Sequence, residues 1–142
     1  GVFLKDVNEK SNEIIKLIKS INSEIKIFIT DYKPTNLKQF NLKDNFLIFS
    51  GIGNPENFKN LLIKNNFKII KEVIYPDHYD YNKGDIEKIK ILAKKMNAKI
   101  ITTEKDYVKI KNFNIENINF LEIDLNVKDD KILSDFIKSK LY

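Results

Sequence analysis

The only histidine of the chain, His78, lies in the run Pro76-Asp77-His78-Tyr79-Asp80-Tyr81. Imidazole is the side chain that gains or loses a proton near neutral pH without a special environment, and Asp77 or Asp80 could orient the ring and increase its basicity. One histidine with nearby carboxylates is too small a set for a metal site with fixed protein ligands. Two interpretations are open: a general acid–base group, or a loop histidine with a structural hydrogen bond.

A second candidate is the run Gly51-Ile52-Gly53-Asn54-Pro55, which follows an apolar segment and precedes a helical pattern. Free N–H groups at a helix N-terminus bind anions, so this turn could hold a phosphate group. A dinucleotide-binding motif would need glycine where the chain has Glu56, and the Gly-Lys-Ser/Thr string of a P-loop is missing from the sequence. From the residues alone, a tight turn with an asparagine helix cap is favoured.

The third candidate is Thr102-Thr103-Glu104-Lys105-Asp106, at a predicted strand-to-helix junction. A threonine cap with acidic residues in the first turn stabilises a helix start by about 0.3–1 kcal/mol, so helix capping explains the whole string. The functional interpretation is that Glu104 or Lys105 faces a ligand at the edge of the sheet. Capping is favoured on the residues alone.

The elements that must position these loops alternate between strand and helix. Apolar or alternating runs predict six strands, at Val2–Leu4, Ile25–Ile29, Phe46–Ser50, Phe67–Tyr75, Ile100–Thr102 and Ile118–Ile123. Apolar residues at helical spacing, each set preceded by a capping residue, predict five helices, which begin at Ser11, Asn54, Asp85, Thr103 and Asp129. The segment from Asp31 to Asp44 is too irregular to assign.

Strands that alternate with helices of this length predict an α/β fold, with a mostly parallel sheet covered by helices on both faces. In such sheets, ligands bind beyond the carboxyl ends of the strands. This rule selects the three candidate loops described above. The length of 142 residues predicts one α/β domain over residues 1–142.

Composition excludes several classes of site and partner. The chain has no cysteine, which excludes zinc–thiolate sites and cysteine nucleophiles, and no apolar run long enough to span a membrane, so we expect it to be soluble. All 25 basic residues are lysines, which lack the planar fork that grips phosphate or guanine. They alternate with acidic residues over Asp85–Lys95, as on solvated helix faces, so we expect no nucleic-acid partner.

The start of the chain is unusual. Residue 1 is glycine, an apolar run follows at once, and the only methionine is Met96. We therefore expect the sequence to be a piece of a longer protein.

Taken together, the three loops resemble the C-terminal part of the tetraacyldisaccharide 4′-kinases, the lipid A 4′-kinase family. The family has a Gly-Ile-Gly/Ala-Asn-Pro turn, a Phe-Pro-Asp-His-His/Tyr turn and a Thr-Glu-Lys-Asp turn. The corresponding strings here occur in the same order at similar separations, and they are Phe49–Phe58, Tyr75–Tyr81 and Thr102–Lys109. Phe28–Leu37 also resembles the segment that leads into the first turn.

The resemblance implies a kinase with two α/β lobes, related in fold to the P-loop NTPases. The family transfers the γ-phosphate of ATP, with Mg²⁺, to the 4′-hydroxyl of a lipid-linked disaccharide, tetraacyldisaccharide 1-phosphate. It acts at the cytoplasmic face of the inner membrane of Gram-negative bacteria. Its Walker A loop, metal-binding acids, catalytic aspartate and membrane-associated helix lie in the first lobe, which these 142 residues lack. ATP and Mg²⁺ would therefore be bound mainly by that absent lobe, and no metal ligand is assigned to this chain.

The resemblance also implies roles for individual residues. His78 matches the family's histidine that pairs with the catalytic aspartate, and Asp77 becomes the group that orients it. Tyr79 stands where many relatives have a second histidine, which argues against a mechanism with two histidines. The remaining matches are substrate or cleft residues, and they are Gly51, Gly53, Asn54, Glu104 and Lys105, although helix capping still explains the last two.

Two other functions fit the residues. A stand-alone α/β module could bind a phosphate compound, a nucleotide or RNA in the same loops, with Tyr79 and Tyr81 as stacking groups. The absence of arginine and of an RNA-binding string argues against RNA. A purely structural lobe would contact no ligand, and substitutions in the three loops would then affect only stability.

Overall fold

The chain forms two sheets and divides into two units in the structure, a computed structural model that describes residues 1–5 and 9–141. The strands are β1 (Val2–Lys5), β2 (Ile27–Pro34), β3 (Asn45–Ser50), β4 (Lys68–Ile74), β5 (Ala98–Thr103), β6 (Ile118–Leu121) and β7 (Ile123–Val127). The helices are α1 (Glu9–Ile21), α2 (Pro55–Lys64), α3 (Lys83–Lys95), α4 (Glu104–Ile110) and α5 (Asp130–Leu141), with a 3₁₀ turn at Leu37–Gln39.

One unit combines residues 1–33 with residues 123–142 and contains the sheet β1-β2-β7. Strands β1 and β2 run parallel. The other unit spans residues 34–122 and contains the sheet β4-β3-β5-β6, whose neighbouring strands are all parallel. The expectation that residues 1–142 form a single domain stays a prediction.

Strand β3 lies at the centre of the four-stranded sheet, and this position explains its composition. It pairs with β4 on one side and β5 on the other, and both of its faces are covered. A strand buried on both faces reads as a continuous apolar run, as Phe46–Phe49 does. Successive side chains then point to opposite faces, so Phe46 and Ile48 join one core cluster while Leu47 and Phe49 join the other.

Helices cover both faces of this sheet, which confirms the predicted fold class. Helix α2 buries Phe58 and Leu62 in the cluster with Phe46 and Ile48, whereas α3 buries its apolar stripe in the cluster with Leu47 and Phe49. The strand order determines which face of the sheet each helix covers. The chain leaves β3 for β4 on one side, then crosses back to β5, and right-handed crossovers in opposite directions put their helices on opposite faces.

Several predicted boundaries were wrong. Helix α1 begins at Glu9, so Ser11 is not its cap, and the segment 118–123 contains two strands that belong to different sheets. Strand β2 continues to Pro34, into the segment that the sequence pattern left unassigned. Helix α3 is capped by Asn82, and Asp85 is the third residue of its capping box.

Candidate functional site

The three candidate loops all lie in the unit of residues 34–122, beyond the carboxyl ends of its strands. The turn after β3 leads to a helix on one face, and the turn after β5 leads to α4, whose Ile110 packs on the other face. Strands β3 and β5 are neighbours, so the two turns flank the point where the strand order reverses, and ligands of doubly wound sheets bind at such points. The loop after β4 adjoins the turn on the opposite side of β3.

Gly51 is the residue through which the three loops are connected. Its N–H donates to Asp106 Oδ2 at 3.1 Å, in the turn after β5. Its carbonyl accepts from the His78 N–H at 3.2 Å, in the loop after β4. A Cβ at this position would lie 2.9 Å from the Tyr81 hydroxyl and 3.2 Å from the Pro76 carbonyl, so the close approach requires glycine.

His78 presents its imidazole at this edge of the sheet. Its φ is 58°, in the left-handed region that residues with a side chain rarely adopt, and its side chain is 75% exposed. Backbone strain of this kind costs about 1–3 kcal/mol and clusters at functional sites. The conformation is held because the His78 N–H lies between two acceptors, the Gly51 carbonyl and Asp77 Oδ1 at 2.9 Å.

Asp77 lies beside the imidazole without a hydrogen bond to it. Its Oδ2 is 3.7 Å from His78 Nε2, which is longer than a hydrogen bond, and both side chains face solvent. The same oxygen lies 3.1 Å from where a Cβ of Gly53 would stand. The structure therefore brings Asp77, His78 and Gly53 close together, and their membership of one functional site stays a prediction.

The other predicted site residues have helix-terminal positions. Asn54 Oδ1 accepts the Asn57 N–H at 3.2 Å, which confirms it as the cap of α2. Thr103 Oγ1 accepts the Asp106 N–H at 3.1 Å and caps α4. Glu104 and Lys105 are exposed in the first turn of that helix, and their contact with a ligand stays a prediction.

Sequence reasoning missed Asp106 and gave Tyr81 no role beyond stacking. Asp106 is fully buried, and its Oδ2 also accepts the Thr103 hydroxyl at 2.6 Å. Within the described ranges, neither Asp106 Oδ1 nor the Tyr81 hydroxyl has a hydrogen-bond partner. Burial, and then the Asp106 carboxylate, raise the pKa of Tyr81 far above its ordinary value. In the sequence, Asp106 looks like any first-turn helix acid.

Tyr79 has two structural contacts in the loop that carries His78. Its hydroxyl donates to Asp85 Oδ2 at 3.1 Å, and its carbonyl accepts from Lys109 Nζ at 3.0 Å. Burial and the Asp85 carboxylate raise the pKa of Tyr79, so the hydroxyl stays protonated near neutral pH. Tyr79 therefore anchors the loop that carries His78 to α3 and α4.

Neither a metal cluster nor a membrane-spanning helix is found in residues 1–5 and 9–141. No three of their His, Asp or Glu side chains lie together as a metal ion would need. No helix in those ranges is both long and apolar enough to cross a bilayer.

The fold and the loops define a doubly wound α/β protein that presents an imidazole where its parallel strands end. The sequence pattern of the family described as tetraacyldisaccharide-1-P 4′-kinase matches residues 4–142. A tetraacyldisaccharide 4′-kinase from Pelagibacter ubique (strain HTCC1062) is 43% identical over 135 residues, which are 95% of this chain and 43% of that protein. One from Rickettsia felis is 36% identical over 135 residues, 90% of this chain and 41% of that protein.

The chain therefore belongs to the tetraacyldisaccharide 4′-kinase family, and it spans less than half the length of these two relatives. A crystal structure of LpxK from Aquifex aeolicus, described as an "apo" form in complex with ATP, is similar with a TM-score of 0.56 and 17% identity. The match covers 99% of this chain and 51% of that one. At this identity the likeness supports the α/β fold alone.

Proposed function

We infer that this chain is the C-terminal lobe of an enzyme that phosphorylates the 4′-hydroxyl of tetraacyldisaccharide 1-phosphate with ATP, in lipid A biosynthesis. The observation that carries the inference is His78, an exposed imidazole in a left-handed backbone conformation beside the turn at Gly51. The family's activity fits this site because phosphoryl transfer depends on positioning and charge stabilisation. The enzyme acts at the cytoplasmic face of the inner membrane, which it contacts through its N-terminal part.

The role of His78 is to orient a carboxylate of the other lobe. That carboxylate removes the proton of the 4′-hydroxyl, and His78 accepts the proton from it. In the transfer, the 4′-oxygen bonds to the γ-phosphorus, the bond from that phosphorus to the β–γ bridging oxygen breaks, and ADP leaves. The hydroxyl proton passes to the carboxylate–imidazole pair. Asp77 lies beside this ring, with its Oδ2 3.7 Å from Nε2.

Magnesium and most of the ATP contacts are assigned to the lobe that this chain lacks. In the proposed transfer, this chain contributes its own side chains and backbone. Gly51, Gly53 and Asn54 line the cleft from this side, with Glu104 and Lys105 at the neighbouring helix terminus.

The test is phosphate transfer by the protein that contains this chain together with the sequence encoded before it. We expect His78→Ala to lower kcat by about 10²–10⁴-fold, the usual contribution of an acid–base group. His78→Asn removes the imidazole but keeps a residue that tolerates positive φ, so an equal loss would locate the effect in the ring.

Asn66→Ala is the matched control, because Asn66 is exposed with a φ of 65° and lies at the opposite end of β4. It reproduces the backbone change without removing an imidazole, and we expect it to leave kcat unchanged. An unchanged rate in both His78 variants would reduce His78 to a structural role. Absence of phosphate transfer by the native protein would refute the proposed function itself.

A further inference from the structure

Asp106 is a buried carboxylate that the proposed phosphoryl transfer does not use. It lies at the start of α4, where a first-turn acid is ordinarily exposed and stabilises the helix through its charge. Here its side chain is fully buried, although burying a charge is costly unless it is paired or hydrogen-bonded. Helix capping alone does not explain this burial, because Thr103 supplies the cap.

Two hydrogen bonds connect Asp106 to His78 through the two peptide units that flank Gly51. Asp106 Oδ2 accepts the Gly51 N–H at 3.1 Å and the Thr103 hydroxyl at 2.6 Å. The Gly51 carbonyl then accepts the His78 N–H at 3.2 Å. The carboxylate thus holds one end of Gly51, and the other end of Gly51 holds the strained backbone of His78.

The tyrosine beneath the turn limits the other directions in which Gly51 could move. A Cβ on Gly51 would lie 2.9 Å from the Tyr81 hydroxyl, so the glycine already packs directly on that group. Tyr81 is itself buried among Phe49, Tyr75 and Tyr79, with ring centroids 5.0–5.7 Å apart. Gly51 is therefore fixed between a carboxylate and a packed aromatic cluster.

We propose that Asp106 is a positioning residue for His78, acting through the peptide units of Gly51. It touches neither substrate nor cofactor. Its removal frees the Gly51 N–H, loosens the β3–α2 turn and releases the left-handed backbone of His78. The catalytic consequence of this role rests on the proposed kinase function, whereas the positioning itself does not.

Amide hydrogen exchange on the 142-residue chain tests the positioning without any assay of activity. We expect Asp106→Ala to accelerate exchange at Gly51 and His78 by about tenfold or more relative to Ile48, an amide in the middle of β3. Ile110→Val is the stability control, because Ile110 is buried on the same helix and its apolar side chain cannot hydrogen-bond to the turn at Gly51. It should accelerate the three amides together.

Equal acceleration of the three amides by Asp106→Ala, or none at Gly51 and His78, would overturn the proposal. Asp106→Asn keeps an oxygen acceptor, and we expect it to restore most of the protection. If the alanine variant does not fold, Thr103→Val removes the hydroxyl that holds the carboxylate and should produce a smaller effect with the same pattern.

Kinetics of the longer protein test the consequence for catalysis. In the native background, we expect Asp106→Ala to lower kcat at least tenfold while the KM for ATP stays within twofold. In a His78→Ala background, the same change should cost less than twofold, because the group that it positions is gone. Equal losses in both backgrounds would show a structural role only. Native protein without kinase activity would refute the proposed function, and the exchange rates would still decide the positioning.

Discussion

Two glycines of the turn after β3 differ in what a side chain would meet. A Cβ at Gly51 would contact the buried Tyr81 hydroxyl and the Pro76 carbonyl, at 2.9 and 3.2 Å. A Cβ at Gly53 would contact only the half-exposed carboxylate of Asp77, at 3.1 Å. We expect Gly51→Ala to lower the free energy of unfolding by about 1–3 kcal/mol, as overpacking does, and Gly53→Ala to change it by about 0.5 kcal/mol or less.

Urea unfolding of the two variants measures the difference. Adding Tyr81→Phe to Gly51→Ala removes the nearest atom and should recover part of the lost stability, whereas adding it to Gly53→Ala should recover none. Equal losses in the two alanine variants would mean that the turn relaxes freely, and would contradict the close packing of Gly51.

The buried hydroxyl of Tyr81 predicts an alkaline instability. Burial, followed by the Asp106 carboxylate, raises the pKa of Tyr81 in the folded state. Stability from this group is complete below the ordinary tyrosine pKa of about 10 and is lost as the pH rises, because only the unfolded chain can ionise. The loss amounts to at most about 1.4 kcal/mol per pH unit.

Unfolding free energies at pH 8 and at pH 11 test this expectation. Between pH 8 and pH 11, the free energy of unfolding should fall less for Tyr81→Phe than for the native chain. The difference between the two slopes should reach up to about 1.4 kcal/mol per pH unit above the ordinary tyrosine pKa. At pH 8 the substitution should cost little, because the hydroxyl has no hydrogen-bond partner among the described residues. Identical falls in both chains would show that the Tyr81 hydroxyl ionises freely in the folded state.

Residue type alone identified some residues of this site, but it did not identify the buried Asp106. His78 was identifiable because it is the only imidazole, and Asn54 because Pro55 follows it at a helix start. Asp106 was not identifiable as more than a helix-start acid. Its buried carboxylate accepts the N–H of Gly51, which lies 55 residues earlier in the chain. A local sequence pattern cannot predict a contact between residues so far apart.

At the scale of elements, helix α3 begins with a reciprocal capping box. Asn82 Oδ1 accepts the Asp85 N–H and Asp85 Oδ2 accepts the Asn82 N–H, each at 3.0 Å. We expect Asn82→Ala to lower the free energy of unfolding by about 1 kcal/mol and Asn82→Ser to restore most of it, since serine also caps helices. Lys83→Ala, an exposed change at the next residue, is the control for urea unfolding. A loss of similar size in that control would contradict the capping role.

The central strand of the larger sheet was predictable from the sequence, whereas the break between the last two strands was not. Strand β3 is a continuous apolar run with clear ends, and its extent and central position agree with that pattern. The break between β6 and β7 falls within an alternating stretch, and only pairing with different sheets reveals it. In α1 and α5, the apolar pattern predicted burial, yet Ile21, Ile132 and Ile137 are exposed.

At the scale of the whole molecule, the proposed function makes the site one side of a cleft. His78 and its supporting turns come from residues 34–122, whereas the sequence contains no Gly-Lys-Ser/Thr string to hold ATP phosphates. An imidazole alone positions no nucleotide, because phosphoryl transfer requires the phosphates to be held and neutralised. We therefore expect the isolated 142-residue chain to transfer no phosphate from ATP, and the longer protein to do so.

The measurement is ADP release and phosphorylated lipid product from the purified chain, with the His78→Ala chain prepared in parallel. Activity shared by both preparations would come from a contaminating kinase, because the variant lacks the imidazole that the proposed transfer uses. Activity that only the native chain shows would contradict the assignment of ATP binding to the absent lobe. Adding the separately expressed remainder of the protein should restore transfer to the native chain and not to the variant, because the proposed cleft needs both the nucleotide-binding side and His78.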